Sequence, residues 1–103
     1  MDQHVEWVTL QVRRWFETEE PEFVPAVIAY IRRQNKEAGN EPPADGEPFD
    51  EDVEYLADEA EAFATRRLIP RCGSALARDL VRDALSEADW LELAGQWLEG
   101  SVT

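Results

Sequence analysis

The chain has 103 residues, 44% hydrophobic and 32% charged, with 23 Asp and Glu against 10 Lys and Arg and a formal net charge of −13. That length suits one domain, and that composition excludes both a disordered tail and a membrane protein. The sign of the charge argues against direct binding to DNA, RNA or anionic lipid, whose phosphates would repel it.

Val5, Val8, Val12, Trp15 and Phe16 recur at helical spacing and predict a first helix, with Asp2 placed to cap it. Val8, Leu10 and Val12 also alternate with Thr9 and Gln11, so a strand over residues 5–16 is the alternative. An acidic break with two prolines follows. Pro25 suits the first turn of a second helix, where its missing N–H would be unbonded in any case. Val24, Val27, Ile28 and Ile31 form the apolar stripe of that helix. Arg32, Arg33 and Lys36 favour its C-terminal dipole, and Gly39-Asn40 ends it. Residues 39–49 carry three prolines and two glycines and read as an exposed acidic loop.

Asp50 is the expected cap of a third, longer helix running to about Leu68, with Val53, Leu56, Ala60, Phe63 and Ala64 on its inner face. Pro70 enforces a stop and Arg71-Cys72-Gly73 turns the chain. Ser74 opens a fourth helix whose expected buried face is Leu76, Ala77, Leu80, Val81, Ala84 and Leu85. Ser86 followed by Asp89 resembles a capping pattern ahead of a fifth helix bearing Trp90, Leu91, Ala94, Trp97 and Leu98, which Gly100 ends. The expected fold is all-α: a small single-domain bundle of four to five helices over residues 1–103, with sheet confined to the first segment if present. No apolar run approaches the ~20 residues that span a bilayer. The chain opens Met1-Asp2-Gln3-His4 without the basic and apolar regions of a secretory signal, and with its single cysteine this points to the cytoplasm.

The residues of catalysis are sparse. A nucleophilic cysteine needs a base to form its thiolate, and Cys72 and His4 are the only cysteine and the only histidine. Two such residues cannot supply the four ligands of a structural zinc site. The stretch from Asp45 to Asp52 offers oxygens for calcium but lacks glycine at the sixth loop position, which falls on Asp50 or Tyr55. The glycines are too scattered to cradle a phosphate. The last two helices have the spacing of a helix-turn-helix, yet the second carries Glu87, Asp89, Glu92 and Glu99 and no cation, which would oppose entry into a DNA groove. The expectation is a protein that is not an enzyme and has no cofactor or metal.

The charge map is more informative. Between Ala38 and Thr65 lie ten acids and no Lys or Arg, so this stretch holds −10 of the −13. At 100° per residue, Glu51, Glu54, Asp58 and Glu61 line one ridge of the third helix, with Asp52 and Glu59 flanking it and Tyr55 facing outward inside it. Like charges three and four residues apart repel by a few tenths of a kcal/mol per pair, so the ridge lowers the stability of its own helix. An acidic solvent face also keeps a protein soluble without any partner. The functional expectation is a partner-binding site at Glu51, Glu54, Tyr55, Asp58 and Glu61 that engages a basic protein surface. Small acidic inhibitors of restriction and CRISPR nucleases, carried by phages and mobile elements, act as nucleic-acid mimics in this way; the likeness is one of charge and size. The alternative is an antitoxin, an immunity protein or a homodimer, because Trp7, Trp15, Trp90 and Trp97 are more than so small a core readily hides and a surplus would form an exposed apolar surface.

Overall fold

The computed structural model describes residues 3–40 and 47–100, and these form five α-helices with no strand. They are α1 (Gln3–Glu19), α2 (Phe23–Glu37), α3 (Asp50–Leu68), α4 (Ala75–Glu87) and α5 (Trp90–Gly100), with one 3-10 turn at Ile69–Arg71 between α3 and α4. The first segment is therefore helix. Val8, Val12 and Phe16 are buried together along it, and the polar member of that face, Thr9, accepts a hydrogen bond from the Asp89 backbone N–H at 2.9 Å. The proposed Asp2 cap and most of the 39–49 loop lie outside the described residues; Glu47 is exposed, and Pro48 and Phe49 are half-buried.

Phe16 anchors the core. Its ring lies within 6.2 Å of Trp15, Phe23, Phe63, Trp90 and Trp97, drawing α1, α2, α3 and α5 around one aromatic centre. Helix α3 packs against α2, α4 and α5 and buries Leu56, Ala57, Ala60 and Ala64. The run of alanines lets neighbouring backbones approach closely, while Val53 and Phe63, expected inside, are only half-buried. Trp90 is buried with its indole N–H donated to the Leu85 carbonyl at 2.7 Å, and Leu93 beside it is almost wholly enclosed.

The helix ends follow local chemistry, with two departures from expectation. At the end of α2, Gly39 adopts φ 77°, and the Gly39 and Asn40 N–H groups bond the Lys36 and Asn35 carbonyls at 3.2 and 2.8 Å, a Schellman stop. Ser74 caps α4 by accepting the Ala77 N–H at 3.0 Å. At α3, however, the N-cap is Phe49, which offers no side-chain acceptor; Asp50 is the first helical residue, and Asp50, Glu51 and Asp52 act on the dipole instead. At α5 the cap is Asp89, whose carboxylate accepts the Glu92 N–H at 3.1 Å, whereas the Ser86 hydroxyl donates back to Asp83 within α4. Carboxylate and hydroxyl thus serve different helices, not one capping pair.

The largest correction concerns α4. Leu76 and Leu80, expected in the core, are 68% and 61% exposed, and of the six expected residues only Leu85 is fully buried. Apolar residues cover about half of the circumference of α4, but the helix packs on one side only, against α1, α3 and the 3-10 turn. Leu91 of α5 is likewise exposed. Among the described residues no helix is long and apolar enough to cross a membrane.

Candidate functional site

Two surfaces stand out. The first is the acidic side of α3. Glu51, Glu54 and Asp58 are exposed, Glu61 is half-buried, and Tyr55 is exposed among them. Helical register brings all five expected site residues onto one side of a single rigid element. Among the described residues no ion pair engages any of the four carboxylates. The recorded pairs lie elsewhere, at His4–Glu87, Arg13–Glu17 and Arg67–Glu20. The flanking acids differ. Asp52 is half-buried and accepts a hydrogen bond from the Asn35 amide at 2.9 Å, which ties it to α2, and Glu59 is half-buried.

Tyr55 does not stand alone. Tyr30 of α2 stacks on it, with ring centroids 5.9 Å apart and planes inclined by 27°. The pairing follows from the antiparallel course of α2 along α3, fixed at one end by Asn35–Asp52 and at the other by Phe23 stacked on Phe63 at 4.0 Å. Partial burial pushes the Tyr55 hydroxyl above its ordinary pKa, and Glu59 and Tyr30 add to that shift. Sequence reasoning missed Tyr30, although the signal was present: Phe23, Val27 and Tyr30 fall at i, i+4 and i+7 on one edge of the α2 stripe.

The second surface is a groove of about 270 Å³ between α1 and α4, with Leu68 of α3 also in its lining. Its walls are apolar, with Trp7, Val12 and Trp15 on one side and Val81, Ala84 and Leu85 on the other, and Gln11 as the polar member. Trp7 at its lip is 60% exposed. Of the four tryptophans, Trp90 is buried, Trp15 and Trp97 are half-buried, and Trp7 alone is exposed. Trp7 falls outside the Val5–Val8–Val12–Trp15–Phe16 stripe, so its outward position was readable; the groove was not, because it depends on how α4 is seated.

His4 and Cys72 are each engaged locally. The His4 imidazole bonds Glu87 across the α1–α4 seam, and the half-buried Cys72 thiol donates to the Leu68 carbonyl at 3.3 Å, one turn back. Among the described residues no group of three or more His, Cys, Asp or Glu side chains is placed to hold a metal ion. No family model matches this chain, and neither a curated protein nor a solved structure does.

Proposed function

We propose that the chain is a non-enzymatic acidic protein-binding module, acting in the cytoplasm, whose α3 ridge engages a basic surface that otherwise receives nucleic acid. The observation that carries this reading is the exposure of Glu51, Glu54 and Asp58 with no cationic partner among the described residues, beside the exposed Tyr55–Tyr30 pair. Carboxylates already paired within the fold would have little left to offer a partner; unpaired ones steer a basic protein and keep their charge for the contact. The ridge sets one carboxylate for about every 5 Å of helix axis, against one phosphate for roughly every 3.4 Å along each strand of a DNA duplex. Tyr55 supplies the aromatic component that binding hot spots favour and that guanidinium groups stack upon.

The test is affinity capture of nuclease-treated host extract on the wild-type chain and on the double variant Glu54→Lys/Asp58→Lys. The reading expects a basic nucleic-acid-processing protein retained by the wild type, released as salt rises, and held at least tenfold more weakly by the variant. Equal retention by both chains would remove the ridge as the site.

A further inference from the structure

We infer that the α1–α4 face is a second interaction surface, separate from the acidic ridge, and that it docks a second copy of this chain about a two-fold axis running along the groove. The face is defined by burial and register together. On α1, Trp7 and Leu10 are exposed and Arg14 lies two turns from Trp7; on α4, Leu76 and Leu80 are exposed and alternate with Asp79 and Asp83. Leu76, Leu80 and Ala84 follow at i, i+4 and i+8, so the exposed ridge of α4 runs into the groove that Ala84 lines. At their exposures Trp7, Leu10, Leu76 and Leu80 present on the order of 400 Å² of apolar side chain, within the range of the largest patch a monomer carries, which is often functional. That is about half of the ~800 Å² that each partner of a stable complex buries.

The charges select the occupant. Helices α1 and α4 run antiparallel, with His4 at the start of α1 bonded to Glu87 at the end of α4. A two-fold axis along the groove lays α1 of the second copy across α4 of the first in that same direction. In this register Arg14 of one copy comes within about a helical turn of Asp79 of the other, and symmetry repeats the contact. Within the chain, among the described residues, no ion pair engages Arg14, Asp79 or Asp83. The cationic lip of α1 and the anionic lip of α4 are therefore complementary in an arrangement that also brings Leu10 level with Leu80, and Trp7 level with Ala84 one turn beyond it. The stretch holding −10 lies in the loop and α3, so the greater part of the net charge is not on this face.

Sedimentation equilibrium on the full chain tests the assignment. The wild type is expected at twice its 11.8 kDa at about 100 µM. Leu80→Glu is expected to leave a monomer of unchanged helicity by circular dichroism, since Leu80 is exposed and its replacement removes no core contact. Arg14→Asp is expected to weaken association at least tenfold, and Asp79→Arg in the same chain to restore it. The ridge variant Glu54→Lys/Asp58→Lys is expected to dimerise as the wild type does, which separates this face from the ridge. A wild-type monomer at that concentration, a dimer that survives Leu80→Glu, or one indifferent to Arg14→Asp overturns the two-fold docking.

Discussion

Tyr55 shows how far a single residue can be read. Its outward direction follows from its position among Glu51, Glu54 and Asp58, a quarter-turn or more from the Leu56–Ala60 face. Its partner does not follow, because Tyr30 reaches it only through the antiparallel packing of α2 on α3. Thr9 makes the same point: a hydroxyl on a buried stripe is legible as an anomaly, but its donor, the Asp89 N–H, is 80 positions away in the chain. The raised Tyr55 pKa carries a consequence for stability. The folded state resists ionisation, so between the unfolded and folded pKa values the folded chain binds more protons. Stability is then full below about pH 10 and falls as pH rises through the folded value. A phenolate absorbance titration of wild type against Tyr55→Phe should show the raised titration lost in the variant. Tyr30→Phe should retain most of the shift, since partial burial and not the Tyr30 hydroxyl is its main cause. A Tyr55 titration at the ordinary value contradicts this.

At the scale of the helix, periodicity located all five elements, and capping chemistry located the stop at Gly39 and the start at Ser74, because propensity and capping are local. It failed where a face is wider than the contact it makes. Leu76, Leu80 and Leu85 are equivalent in hydrophobicity, and only the seating of α4 on α1 and α3 decides that Leu85 is buried and the other two are not. The expected stabilities separate accordingly. Leu85→Ala should cost about 2–5 kcal/mol, as a cavity in a packed core does, whereas Leu80→Ala should stay within about 0.5 kcal/mol. Urea denaturation at a concentration low enough to keep the chain monomeric measures both. Equal losses would place Leu80 in the core after all. The two cap departures, Phe49 before α3 and Asp89 before α5, arise because Asp, Glu and Ser near a helix start serve either as caps or as dipole partners, and sequence spacing does not choose between those roles.

Over the whole molecule the charge is polarised, with −10 of −13 between Ala38 and Thr65 and near balance elsewhere. This was legible from the sequence; that Asp52 is tied to Asn35, while no ion pair engages Glu51, Glu54 or Asp58 among the described residues, was not. Retaining such a ridge lowers stability, since Glu54–Asp58 and Glu51–Glu54 are like-charged neighbours on one helix face. Glu54→Gln/Asp58→Asn should therefore raise the melting temperature by about 1–3 °C at low ionic strength, with the gain shrinking as salt screens the repulsion. An unchanged or lowered melting temperature would mean that the two carboxylates are stabilised by the fold. The claim that the ridge stands in for a polynucleotide is tested most directly by competition. The captured basic partner is held on the wild-type chain at constant ionic strength while short duplex DNA is added. The account predicts that DNA displaces the chain in proportion to its occupancy of the partner; a ternary complex of chain, partner and DNA would contradict it.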